Sequence, residues 1–300
     1  MRLIDAHHHL WIPERREPDI GYGWLRDIGA MKPFGDPTPI QRDYEWPEYA
    51  AESGEHELVG SVFVQTDNAL PDPVAETRWV QSVFEATGLP HAIVALADLA
   101  APNLDEMLRR HAASPLLRGV RQILSRLDDE PSLSFASRHL IRDPAWREGF
   151  AQLAVQDLSF DLQCYPEQVD EVVALLQRHP GIPVIIDHAG SPRDRSPAGV
   201  VRWQQALARL AELPHVAVKL SGFGMFDRHW SADSVAPMVV HLLEHFGEQR
   251  LLFGSNFPVD RLMASFDDSV ARVVAALRSA DPGVDVDGVL HRNAIDWYRL

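Results

Sequence analysis

Asp5, His7 and His9 sit at the head of the chain in the run Ile4-Asp5-Ala6-His7-His8-His9-Leu10-Trp11. In an extended strand alternate side chains share a face, so these three are expected to point the same way. Two imidazoles two residues apart at a strand end can grip one metal ion or one substrate carbonyl. An apolar frame, Leu3-Ile4 before and Leu10-Trp11 after, sets the run apart from the remnant of a purification tag. Other polar residues close short apolar runs further along. Gln65 and Asp67, Asp98, and then Arg121 are the first of these. Asp161 with Gln163, the pair Asp187-His188, Lys219 with Ser221, and Asn256 follow.

The elements that carry these residues alternate. Apolar runs lie at Leu3–Asp5, Leu58–Gln65, His91–Asp98, Leu117–Leu124, Leu158–Gln163, Pro183–His188, His215–Ser221 and Leu251–Gly254. Between them, segments such as Glu167–Arg178 repeat apolar residues at helical spacing, as in Val169, Val172, Val173 and Leu176. Near-continuous apolar strands imply burial on both faces, as in a parallel sheet. Eight strands alternating with helices predict a single-domain (β/α)8 TIM barrel over residues 1–300. An open doubly wound sheet fits less well, because no Gly-rich dinucleotide fingerprint follows the first strand. Residues 10–57 interrupt the alternation with a long loop rich in aromatics, prolines and glycines. A loop of this length is read as a lid over the barrel mouth, or as packing around its rim. Val286–Leu300 is expected to form a final helix holding Trp297 against the core.

In barrels of this type the chemistry sits at the C-terminal ends of the strands, which places all the polar residues above around one pocket. Arg121 and Lys219 are strand cations and need anions, either neighbouring carboxylates or a substrate carboxylate. The planar guanidinium of Arg121 suits a substrate carboxylate. Asp98, Asp161 and Asp187 are candidate structural counter-ions. Gln65 and Gln163 join Arg121 and Lys219 as expected substrate-binding residues. His111, His139, His179, His241 and His245 fall in helices or loops and read as ordinary surface or helix-end residues.

Composition narrows the partners. The 300 residues carry 43 acidic and 28 basic side chains, a formal net charge of −15. Nucleic acid and anionic membrane surfaces both repel such a chain, which leaves a small molecule as the expected partner. Cys164 is the single cysteine, so no internal disulfide forms and a reducing, cytoplasmic setting is expected. No apolar stretch approaches the roughly 20 residues needed to span a bilayer.

The Asp-Ala-His-His-His start resembles the Asp-x-His-x-His signature of the amidohydrolase superfamily. Gly119-Val120-Arg121, Ile185-Ile186-Asp187-His188-Ala189-Gly190, Val218-Lys219-Leu220-Ser221-Gly222 and Phe253-Gly254-Ser255-Asn256-Phe257-Pro258 resemble its lactonase-type branch, the amidohydrolase 2 family. Members open sugar lactones, muconolactone-like rings and pyrone dicarboxylate, and some relatives are decarboxylases. The resemblance implies that His7, His9 and His188 are metal ligands or, without a metal, groups that polarise the substrate. The strand-eight position usually holds an aspartate that serves as ligand and general base; here it is Asn256. No lysine bridge or paired histidine is evident either, so the implied centre is at most mononuclear. It would hold one divalent ion such as zinc, and a metal-free site is the other option.

These readings combine into a hydrolase that opens a lactone of a small carboxylated or sugar-derived substrate. His7 and His9 polarise the carbonyl, Asn256 donates a hydrogen bond, and His188 is the expected base because an ordinary imidazole titrates near 6.5. Asp260 is the less favoured substitute base. A metal-dependent decarboxylase on the same barrel, and a non-catalytic ligand-binding barrel lacking the strand-eight acid, are the competing readings.

Overall fold

The computed structural model describes residues 1–300. Eight strands form one sheet: β1 Arg2–His8, β2 Glu57–Val64, β3 Ala92–Leu96, β4 Leu117–Arg121, β5 Ser159–Leu162, β6 Val184–Ile186, β7 Val216–Leu220 and β8 Leu251–Phe253. They pair in chain order, and every pair is parallel. The ring closes through the chain just beyond β8. Asn256 N–H donates to His7 O and His9 N–H to Phe257 O, each at 2.8 Å. The predicted TIM barrel is the observed fold.

Valine- and isoleucine-rich runs make these strands because both faces are buried. Val62, Val64, Val94, Ile185, Ala217 and Leu252 fill the barrel interior, while Phe63, Val120 and Phe160 pack outward against the helices. The helices begin at explicit stops. Asp72, Asp143, Ser196, Ser231 and Ser265 each accept a backbone N–H in the first turn of the helix that follows. No helix is long and apolar enough to cross a membrane.

Three sequence expectations change. β1 runs on to His8, so His7 lies inside the strand and His9 directly after it. β3 stops at Leu96, which leaves Asp98 exposed beyond the sheet. The C-terminal segment forms a π turn, Gly288–Arg292, and a helix, Asn293–Tyr298. Trp297 is only partly buried; Tyr298 is the residue that enters the barrel, fully buried among its interior side chains. The helical pattern placed Trp297 and Tyr298 side by side, and only the docking of the helix under the barrel decides which turns inward.

Residues 10–57 are ordered around two short helices, Gly23–Arg26 and Trp46–Glu52. Trp11 and Tyr44 exchange backbone hydrogen bonds at 2.9 Å, which folds the segment back on itself. Trp11 and Trp24 meet edge to face at 5.5 Å, and Trp24 meets Phe34 the same way at 6.2 Å.

Candidate active site

At the C-terminal end of the barrel lies a cavity of about 280 Å³. His9, Arg121, Gln163, His188 and Asn256 line it from the strand ends. Trp11, Trp24, Met31, Lys32 and Phe34 of the long segment form one wall, and Ser134 and Phe135 after β4 form another.

His9 lines its floor and His7 lies fully buried directly beneath, outside the cavity lining, with the two Nε2 atoms 3.3 Å apart. Each ring is tied down through its other nitrogen. His9 Nδ1 donates to Val64 O at 2.8 Å, and His7 Nδ1 lies 3.1 Å from Asp187 Oδ1 and 3.2 Å from Lys219 Nζ. Burial holds both imidazoles well below their ordinary value, so both are neutral near pH 7. His188 packs beside His7, ring centroids 4.6 Å apart, with Nδ1 3.2 Å from Ser221 Oγ. Its Nε2 has no partner within the protein.

Asp5 does not share the face of His7 and His9. The pairing of β1 with β2 slips between Asp5 and His8, which breaks the two-residue alternation. Its carboxylate instead accepts from Ser255 N–H at 2.8 Å, Ser255 Oγ–H at 2.5 Å and Tyr49 Oη–H at 2.7 Å. Asp5 therefore fastens the seam between β1 and the chain after β8. His8 also turns away, stacking on Tyr49 at 4.3 Å.

Under the histidines lies a buried ionic cluster. Lys219 Nζ contacts Asp161 Oδ2 at 2.5 Å and Asp187 Oδ1 at 2.9 Å. Arg121 donates through one amino group to Asp187 Oδ2 at 3.1 Å and Gln163 Oε1 at 3.3 Å, and through the other to Gln65 O at 2.6 Å. Tyr298 Oη–H reaches Asp161 at 2.9 Å from below. Burial pushes the Asp187 carboxyl up, but Lys219, His7 and Arg121 outweigh it and hold it well below the usual carboxylate range. The two carboxylates balance the two cations, as a buried charge set must.

This arrangement relocates several sequence-predicted residues. Lys219 does not line the cavity; the anions it meets are Asp161 and Asp187. Gln65 is fully buried behind the wall, where its carbonyl anchors Arg121 and its side chain meets Asn68. Arg121 faces the cavity with most of its donors already engaged. Gln163, His9, His188 and Asn256 do face it. Asp187, read from sequence as a counter-ion, joins His7 and His188 in a group close enough to surround one ion. Asn68, Ser134, Phe135 and Met225 line the cavity without any sequence signal, because they sit on irregular loops.

Two further expectations shift in chemistry. Burial pushes His188 down to about 3, so it is a neutral lone-pair donor at physiological pH and not a base balanced near 6.5. Asn256 Nδ2 already donates to Asp260 Oδ1 at 3.0 Å and touches Met225 Sδ, which leaves Oδ1 as the atom it can offer the cavity. It is thus an acceptor there, not the expected donor. Burial raises Asp260 to about 7, and Asp260 does not line the cavity.

Backbone strain marks the same places. His188, Ala189 and Asn256 all have φ near +50 to +56°, a region that non-glycine residues seldom enter. Gly222 is at φ +66°, and the His188 ring lies where a side chain on it would go.

Known proteins share this architecture along its whole length. Uncharacterized protein y4mH of Sinorhizobium fredii is 34% identical over 99% of this chain and 98% of its own. An L-fucono-1,5-lactonase of Burkholderia multivorans is 35% identical over 92% of both chains. A crystal structure of a Burkholderia multivorans amidohydrolase with bound Zn superimposes with a TM-score of 0.80 at 28% identity, covering 100% of each chain. The amidohydrolase family profile matches residues 4–300. A match that runs from the first strand to the last residue puts the chain in the amidohydrolase family, as a hydrolase of that superfamily.

Proposed function

We propose that the enzyme opens a lactone of a small, sugar-derived molecule above the β1 histidines, with one zinc ion at the cavity floor. The observation that carries this reading is the His7–His9 pair, whose Nε2 atoms stand 3.3 Å apart. Two nitrogens on one tetrahedral zinc, each bonded at about 2.05 Å, are separated by about 3.3 Å. With both Nδ1 protons directed at Val64 O and Asp187, the two Nε2 lone pairs face each other, which favours a cation between them. His188, neutral and grouped with His7 and Asp187 within 4.8 Å, would supply a further ligand. Bound there, the ion would supply Lewis-acid polarisation of the lactone carbonyl. The Zn-bound relative supports the metal and the L-fucono-1,5-lactonase supports the substrate class.

The chain's own residues do the rest. Asp187 and Val64 O orient the two imidazoles. Asn256 Oδ1, with its amide group held by Asp260, accepts a hydrogen bond from water or a substrate hydroxyl. Gln163, whose Oε1 takes the Arg121 hydrogen bond, turns its Nε2 donors to substrate oxygens. Trp11, Trp24, Phe34 and Phe135 cover the apolar face of the ring and exclude bulk water, which makes residues 10–57 the lid. Because Arg121 is already balanced by Asp187, a neutral sugar lactone suits the cavity better than a dicarboxylate. The same balance weighs against the decarboxylase reading, which needs a free cation for the substrate carboxylate.

In the reaction, the water oxygen adds to the carbonyl carbon and the ring C–O bond breaks. The ring oxygen leaves as a hydroxyl carrying one proton from the water, and the hydroxy acid then ionises at neutral pH. Acid release from a panel of aldonolactones, followed with a pH indicator before and after chelation, tests this. Acid without carbon dioxide, lost on chelation and restored by zinc, is expected. Acid release that survives exhaustive chelation removes zinc from the proposal; no acid from any lactone removes the lactonase reading.

A further inference from the structure

A second set of metal-ligating side chains lies far from the barrel mouth, on the helix Ala232–Phe246. His241, Glu244 and His245 occupy its last two turns, so the two histidines are one turn apart on one face. One nitrogen of each ring and a carboxylate oxygen of Glu244 lie within 4.8 Å of one another.

The rings are held as metal-binding histidines are held. His241 Nε2 donates to Gln204 O at 2.9 Å, and His245 Nδ1 donates to His241 O at 2.9 Å. Each bond to a carbonyl fixes one N–H and leaves the other nitrogen with a free lone pair. The rings lie 4.1 Å apart at 37°. Partial burial beside Trp203 keeps His241 neutral, its value lowered from the ordinary one. Glu244 and His245 are exposed, and Glu244, which has no ion pair, can turn to close around an ion. The C-terminal end of a helix also carries partial negative charge, which favours a cation.

We infer that His241, Glu244 and His245 form a peripheral site for one borderline divalent ion, zinc, nickel or copper. Two imidazoles and one carboxylate select that class over calcium or magnesium, which prefer all-oxygen shells. Three protein ligands leave the remaining position to water. Through the bond from His241 to Gln204 O, the bound ion also braces this helix against the helix Pro197–Ala211.

The test uses untagged full-length protein, stripped by chelation, dialysed against zinc and assayed for ions per chain. The His245→Ala variant is expected to hold one ion fewer than the wild-type protein and to keep its lactone hydrolysis. In a His7→Ala/His9→Ala background one ion is expected to remain, and to disappear when His245→Ala is added. Copper(II) in that background is expected to give an electron paramagnetic resonance spectrum with two-nitrogen ligation. Equal ion counts with and without His245, or no ion left in the His7→Ala/His9→Ala protein, overturn the site.

Discussion

Replacing Gly222 by alanine tests whether the exact seat of His188 matters to activity. A Cβ at Gly222 would stand 2.5 Å from His188 Nδ1 and 2.6 Å from its Cβ and Cγ. Carbon contacts become comfortable at roughly 3.5 Å, so the imidazole must retreat by about 1 Å. A misplacement of about 1 Å in a catalytic constellation can cost on the order of 10²-fold in rate. The backbone adds its own cost, about 1–2 kcal/mol for alanine at a left-handed φ. Overpacking adds another ~1–3 kcal/mol. Gly222→Ala is therefore expected to lower kcat/KM for lactone hydrolysis about 100-fold and to lower the urea midpoint, with an unchanged circular dichroism spectrum. Gly181→Ala, where nothing lies within 4 Å of the new methyl group, serves as the control. A folded Gly222→Ala enzyme within threefold of the wild-type rate refutes the role given to His188.

Two further variants probe the buried charges. Glu76 lies buried, and desolvation raises its carboxyl to about 8 from 4.5. A raised carboxyl binds its proton more tightly in the folded state, so stability is full below pH 4.5 and falls as pH rises towards 8. The loss above pH 8 is roughly 4–5 kcal/mol at about 1.4 kcal/mol per pH unit. Glu76→Gln should melt near the wild-type temperature at pH 5 and clearly above it at pH 9; parallel melting curves across that range contradict the assignment. Tyr298→Phe removes the hydroxyl that supports Asp161 and should cost ~2 kcal/mol in chemical denaturation, because hydrogen bonds to charged groups run about 1.5–3 kcal/mol. A loss below about 0.5 kcal/mol would show that Lys219 alone satisfies Asp161.

The barrel was legible because eight apolar runs such as Val184-Ile185-Ile186 alternate with amphipathic segments, a pattern few folds share. His7, His9 and His188 could be placed at one end because strand ends face one pocket. Face-level detail was not legible. Alternation put Asp5 with His7 and His9, but a slip in strand pairing sent it to the seam. Lys219 and Asp187 could each be paired only in general terms, since sequence does not reveal that β4, β5, β6 and β7 aim their charges at one another inside the ring. The sequence shows His188 only as an ordinary imidazole, because burial is a property of the fold. The His241–Glu244–His245 group looked like ordinary helix surface, because its meaning depends on which carbonyl each ring nitrogen meets.

The seam between β1 and the chain after β8 has a consequence for folding. Its bonds join groups such as Asp5 and Ser255, 250 residues apart along the chain. Contacts of that span form late, after the entropy of closing a very long loop has been overcome. His7, His9 and Asn256 flank that seam, so the cavity floor exists only once the ring has shut. A barrel that has lost this one junction would keep most of its helices and yet have no reaction centre. Catalytic competence is therefore a property of closure, and it should vanish earlier along the unfolding path than secondary structure does.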